Sequence, residues 1–301
     1  MKTFTQFMKC NRIPRTAMLA IITSGMSLLY GCAGYLSQSF EYQPSEATAS
    51  TLSVADAQRI LSSALSHCYD SNNRYVNFLG YRSDAVGKVE YFPDHYTYAS
   101  NQSGKGYSVY YKDMRNLKMV YHAQHEWPDY FVFSMDGRLV NTFQKKEYSQ
   151  VKGSCNMIYP DGPMPFAEKS KIVMDAVLRL KMDFDSVYGP AGEEKFKEAA
   201  DQYRAAPEKP PLPEDVKIYD IQAGTAVGKK NFETAAALYA KALDIAPWWA
   251  ADHFNRALVL GELNATDAAT VEMKRYLYLK PDAPNADAVR RKIAEWGTPA
   301  Y

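Results

Sequence analysis

Few side chains in this sequence stand where their types and spacing would let them do chemistry. The densest group is His122-Ala123-Gln124-His125-Glu126, which offers two imidazoles and a carboxylate to a metal ion. A zinc-protease pattern needs His, Glu and His on one helical face, with the histidines at i and i+4. Here the order is different, and the flanking run Leu117–His122 reads as a strand, on which His122 and His125 point to opposite faces. No metal site and no cofactor are expected. His67-Cys68 sets an imidazole beside a thiol, but a reactive thiolate needs a depressed pKa and an access path, and the neighbouring residues argue for neither. There is no Gly-x-Ser-x-Gly elbow, no phosphate loop and no dinucleotide fingerprint. The carboxylates are scattered, which leaves a hydrolase built on an Asp/Glu pair as the last-ranked alternative. The chain is expected not to be an enzyme. Trp248-Trp249 offers either a partner anchor or a packed corner; consecutive aromatics after Pro247 favour packing. Arg290-Arg291-Lys292 reads as the solvated face of a helix.

The elements that must carry these residues are bounded by composition. The 301 residues suggest about two domains. With 35 Lys and Arg against 34 Asp and Glu, the formal charge is +1, which argues against nucleic acid as a partner and against a polybasic membrane patch. Many of the 23 tyrosines fall between Tyr69 and Tyr159, as aromatic strands would place them.

The start of the chain follows another grammar. Lys2, Lys9, Arg12 and Arg15 precede a short apolar run from Ala17 to Leu29, the length of a signal-peptide core. The run ends in Leu29-Tyr30-Gly31-Cys32, with Tyr30 where a small residue is usual. This resembles the lipobox of bacterial lipoproteins. The resemblance implies that residues 1–31 are a signal peptide, and that Cys32 becomes the N-terminus and carries the acyl chains (palmitate among them) that hold the chain to a membrane. Two or more chains anchor firmly where one does not. Ala33 follows the cysteine, and by the sorting rule of enterobacterial lipoproteins the lack of Asp there implies the outer membrane, facing the periplasm. In that compartment Cys68 and Cys155 remain after Cys10 leaves and Cys32 is acylated; a disulfide is expected, with two buried free thiols as the alternative. Residues 32–52, rich in Ser, Thr, Ala and Gln, read as a flexible tether.

A first domain is expected over 53–185. Ser53 with Asp56 makes an N-cap, and Val54, Ala57, Ile60, Leu61, Ala64 and Leu65 share a helical face. Strand-like runs follow at Tyr75–Leu79, Val89–Phe92, Tyr96–Ala99, Tyr107–Tyr111, Leu117–His122, Tyr130–Ser134 and Leu139–Phe143, with Asp136-Gly137 as a hairpin turn between the last two. A helix from Pro165 to about Met182 closes the unit. Helix, antiparallel meander and helix make an α+β domain, which distantly resembles pleckstrin-homology-like domains in topology.

Residues 186–215 hold a helix and a Pro-rich linker, and 216–283 hold a repeat. Aligning Pro247 with Pro281 pairs Ala223 with Ala257, Ala226 with Leu260, Ala235 with Ala269, Tyr239 with Met273 and Ala242 with Tyr276, all 34 apart. This resembles the tetratricopeptide repeat, with units at 216–249 and 250–283. Tyr219 and His253 stand at that family's Trp position, and Ala223 and Ala226 replace its Gly and Tyr. Residues 284–301 supply a capping helix with Ala286, Val289, Ile293 and Trp296 on one face. Phe196, Ala199, Tyr203, Ala206 and Pro211 reproduce the second-helix spacing, either as half of a degenerate third unit or as a plain amphipathic helix. The resemblances together imply a membrane-anchored, non-enzymatic adaptor that binds an envelope protein or peptide through its repeats. The alternative is a lipid- or glycan-binding module in which the aromatic β-domain holds the ligand.

Overall fold

A computed structural model of the chain describes residues 38–65, 68–69, 86–100, 106–123, 130–141, 146–155 and 166–297. The fold is α+β: an antiparallel sheet with helices packed against it, followed by an all-helical region. In chain order the elements are β1 (Gln38–Tyr42), α1 (Glu46–Ala49), α2 (Val54–Leu65), β2 (Cys68–Tyr69), β3 (Val86–Tyr91), β4 (His95–Ser100), β5 (Gly106–Tyr110), β6 (Arg115–Ala123), β7 (Tyr130–Asn141) and β8 (Lys146–Cys155). The helices α3 (Phe166–Tyr188), α4 (Pro190–Ala205), α5 (Glu214–Gly228), α6 (Phe232–Ile245), α7 (Ala250–Glu262), α8 (Thr266–Leu279) and α9 (Ala286–Trp296) complete it.

Among the described strands the order is β1-β6-β7-β5-β4-β3, with β8 also on β7 and β2 on β8. This departs from a simple meander, because β5 bonds to β7 rather than to β6. The expected hairpin at Asp136-Gly137 does not form. β7 runs straight through both residues, and its partner changes there from β6 to β5. Irregularities in register fall at this point on both neighbours. Asn116, with φ 52°, takes the left-handed conformation and donates to Asp136 at 2.6 Å, as a bulge in a long strand requires. The turn-forming pair therefore serves a change of partner. β8 was not among the expected strands; its polar sequence carries little alternation. The expected strand at Tyr75–Leu79 lies outside the described residues.

The tether is corrected in the same way. From Gln38 onward the segment 32–52 is folded: β1 pairs with β6, and a Ser45–Thr48 capping box starts α1. Asp175 on α3 fastens both, accepting from Tyr42 Oη at 2.8 and 3.0 Å and from Thr48 Oγ1 at 2.8 Å. Arg179 Nε donates to the Leu52 carbonyl. Ser53 then caps α2, its Oγ accepting from Asp56 N at 3.0 Å. α3 runs past the expected boundary at Asp185 to Tyr188, and Gly189 turns the chain into α4, where a Cβ would meet the Asp185 carbonyl at 2.5 Å.

One contiguous core joins the sheet to the helices. It runs from Ala57 and Leu61 of α2 through Met119, Leu139, Val177 and Phe184 to Ala235, Tyr239, Leu260 and Ala269 of the helical region. A capping interaction crosses the same joint. α8 has Ala265 at its N-cap and no capping side chain of its own. Asp94, fully buried in the β3–β4 turn, supplies it: Oδ2 accepts from Asp267 N at 2.9 Å and Ala268 N at 3.2 Å. Its other oxygen contacts His95 Nδ1 at 2.6 Å. Arg138 of β7 adds an ion pair to Asp267 at 2.8 Å and lies over the Tyr110 ring.

Two predictions follow from this architecture. Losing a cap costs roughly 0.5–2 kcal/mol, and stranding buried donors adds about 1–3. Asp94→Ala is expected to lower unfolding free energy by about 2–3 kcal/mol in denaturant melts, and Asp94→Asn by less. Second, Cys68 and Cys155 are direct partners in the β2–β8 register. Opposed antiparallel residues lie about 4.5–5.5 Å apart at Cα, within the span of a disulfide. Thiol titration of the chain produced in an oxidising compartment and unfolded without reductant is expected to find neither of these thiols free, and Cys68→Ser with Cys155→Ser to cost about 2–4 kcal/mol.

Candidate functional site

The helical region is built from two hairpins, α5–α6 and α7–α8, that repeat at an offset of 34 residues. α6 and α8 begin at Phe232 and Thr266, and α5 and α7 end at Gly228 and Glu262. The inter-helix turns each contain one left-handed residue at the same place, Lys230 with φ 56° and Asn264 with φ 57°. The second helices end alike, with the Ala246 and Lys280 amides bonded back to Ala242 and Tyr276. Caps differ: Asn231 Oδ1 accepts from Thr234 N, whereas the corresponding residue is Ala265 and borrows Asp94.

The repeat positions fall where paired helices meet. Ala223, Ala235, Ala242, Ala257, Leu260 and Ala269 are fully buried, and Ala226, Tyr239 and Met273 nearly so. Small side chains let the backbones approach, and the large ones fill the groove between hairpins. Pro247 follows α6, and its carbonyl faces His253 Nε2 at 2.8 Å; Tyr276 donates to Asn285 Oδ1 at 2.6 Å; Pro281 lies exposed after α8. Trp248 stacks on Tyr203 with centroids 5.8 Å apart, and Trp249 packs among Tyr219, Ala242 and Leu212. Both tryptophans belong to the corner between hairpins.

α4 does not extend this stack. It lays Phe196 against His253 and Tyr278, and its Glu193 binds Arg275 at 2.7 Å. Glu272 sits fully buried among His253, Arg256 and Arg275. Its burial opposes ionisation, but Arg256, His253 and Arg275 together hold its pKa down to about 2. The cluster is therefore a charged fastening between α7, α8 and α4.

The two ends of the stack are unlike. At the C-terminal end α9 turns Val289 and Ala286 inward, rests Trp296 over Gly261, and shows Asp287, Arg290, Arg291 and Glu295 to water. At the other end α5 is apolar on more than one side. It buries Val216, Ala223 and Ala226, yet Ile218, Ile221 and Val227 are 43%, 69% and 36% exposed. A Cβ on Gly224 or Gly228 would meet nothing within 4 Å. Ile221, Gly224 and Gly228 recur three and four residues apart, so they share a stripe along this helix. On α7, Leu258 stands 34 residues after Gly224 and is 42% exposed. The equivalent of Ile218 in the second hairpin is Asp252, which is fully buried. The contrast marks Ile218 as a position that a preceding unit would cover. Sequence reasoning missed this face, although its signal, isoleucines on two sides of one short helix, was present.

Asp252 itself is fully buried, and the Asp220 side chain of α5 is its hydrogen-bonding neighbour. Burial and the adjacent Asp220 carboxylate on α5 raise its pKa to about 8. Of the His122 motif, His122 lies on β6, and His125 and Glu126 lie outside the described residues; among the described residues no three His, Cys, Asp or Glu side chains form a metal-binding group. No family model, no curated protein and no solved structure matches the chain.

The acid pair makes a signed prediction. An unfolded carboxyl titrates near 4. Between pH ~4 and ~8 the unfolded chain has released a proton that folded Asp252 keeps, so stability falls as pH rises through this window. Asp252→Asn is expected to raise the melting temperature at pH 7–8, with a gain on the order of 1–3 kcal/mol, and to change little at pH 4.

Proposed function

We propose that this chain is a bacterial envelope lipoprotein, anchored through acyl chains on Cys32 to the periplasmic face of the outer membrane, and that it is a non-enzymatic adaptor. Its tetratricopeptide-like hairpins bind a protein or peptide of the envelope. One observation carries this reading: the exposed apolar stripe on α5 at the open end of the stack. Stacked helical repeats need polar outer faces at their ends to stay soluble. α9 meets that requirement and α5 does not. The rest of the array is already engaged, since α6 and α8 pack toward the sheet through Ala236, Ala268 and the Asp94 cap. The face left for a partner is the one formed by α5 and the exposed side of α7. Membrane attachment in this reading rests on the acyl anchor, because no described helix is long and apolar enough to cross a bilayer.

Ile221→Glu tests the reading. The side chain is mostly in water, so stability is expected to change by less than about 0.5 kcal/mol. A charge in the middle of an apolar interface removes most binding. In-cell crosslinking, mild-detergent purification and mass spectrometry are expected to yield a near-stoichiometric envelope protein with the wild-type chain and to lose it with Ile221→Glu. Equal recovery from both chains overturns the assignment of this face.

A further inference from the structure

We propose that the apolar stripe on α5 is a self-association surface, on which α5 of a second copy of this chain packs antiparallel about a two-fold axis at Ile221. This names the partner for the face already assigned to protein binding, and it rests on that assignment. The outermost line of α5 carries Glu214, Ile218, Ile221, Thr225 and Gly228, all exposed. Their spacing alternates between four and three, which is the seam of a packed helix pair. Thr225 donates its hydroxyl to the Ile221 carbonyl at 2.9 Å, so its polar need is met within the helix. The middle of the line is therefore uncharged. The charges stand at its ends, with Glu214 and Asp215 opening the helix and Lys229 and Lys230 closing it, all exposed.

This distribution matches itself only when the two helices run in opposite directions. With the axis at Ile221, Glu214 of one copy comes level with Gly228 of the other and one residue from its Lys229. Glu214 also pairs with Lys217 of its own helix at 3.0 Å, an exposed contact that leaves the carboxylate open to a second cation. Acid meets base at both ends, and the helix dipoles are opposed. A parallel pair sets acid on acid and base on base. Size matches in the same register: Ile218 of one copy comes level with Gly224 of the other and beside its Thr225. A Cβ on Gly224 or Gly228 would meet nothing within 4 Å, so the branched side chain finds open backbone. A head-to-tail array has no such match, because α5 would then lie on the outer face of α9, where Asp287, Arg290, Arg291 and Glu295 are exposed. The isologous contact sets apolar on apolar and closes with two copies. One helix from each copy makes a contact smaller than the ~1,600 Å² of a standard interface. Weak association suffices in the proposed reading, since copies anchored in one membrane meet at high effective concentration.

The test is disulfide crosslinking of the full chain in bacterial cells, with copper phenanthroline as oxidant and the parent chain, with its native cysteines, as baseline. Ile221→Cys, on the axis, is expected to give a linked dimer at least about fivefold above the parent. Ile218→Cys alone and Thr225→Cys alone are expected to stay at the baseline, because each lies roughly 9 and 12 Å along the axis from its own counterpart. Co-expression of those two variants is expected to give the crosslink that neither gives by itself. With Ile221→Cys present, Glu214→Lys or Lys229→Glu lowers the dimer several-fold, and the two together restore most of it. All these positions are exposed, so the melting temperature is expected to change little. No dimer above the parent, an Ile218→Cys dimer equal to that of Ile221→Cys, or charge reversals that do not rescue each other overturns the inference. If it is overturned while Ile221→Glu still releases a different envelope protein, the adaptor reading stands and only the choice of partner fails; if Ile221→Glu releases no protein, both fail.

Discussion

The carboxylate of Asp94 stands at the start of a helix that lies 173 residues further along the chain. It satisfies two amides that α8 leaves open, and it does so from the turn of a β-hairpin. The first hairpin of the helical region caps itself through Asn231, so the start of its second helix needs no cap from elsewhere in the chain. The second hairpin has given that residue up for Ala265, whose side chain is buried at the joint. Self-sufficiency was exchanged for contact. As a result the second hairpin is complete only when the sheet is in place. Arg138, Asp267 and the stacked rings of Phe92, His95 and Tyr110 surround this joint.

Other buried charges in the helical region are compensated to very different degrees. Glu272 is surrounded by three cationic or ionisable partners, and such a cluster fixes geometry more than it adds stability. Asp252 lies one turn from that cluster along α7 and has none of its compensation. A carboxyl kept in its neutral form between two hairpins weakens their stacking at the pH where the protein is expected to work. The weakness sits between α5 and α7, beside the face that this reading assigns to a partner. Stability and availability are opposed there, and the helix with the exposed isoleucines is the one held less firmly.

Periodic features were legible in the sequence and pairwise ones were not. The 34-residue offset can be read because small residues and a helix-ending proline recur together, and recurrence survives substitution at any one position. The aromatic strands β3 to β6 are readable because their tyrosines and valines alternate. β1 was hidden by the serine- and glutamine-rich context of Phe40 and Tyr42, and β8 by its lysines and glycine. Asp136-Gly137 misled because the same pair suits a tight turn and a bulge, and only the neighbouring strands decide between them. The Asp94 cap and the open side of α5 each depend on what a distant segment covers. No local pattern encodes that.

The folding of residues 38–52 also fixes a height. With the acyl anchor on Cys32, only residues 33–37 lie between the lipid and β1. The six steps from Cys32 to Gln38 reach about 20 Å when fully extended. In the proposed lipoprotein reading, the body of the protein would be moored close to the headgroups by the β1 edge of its sheet, out of reach of the far side of the periplasm. A partner would then be met at the membrane surface, and the search for it would become one in two dimensions.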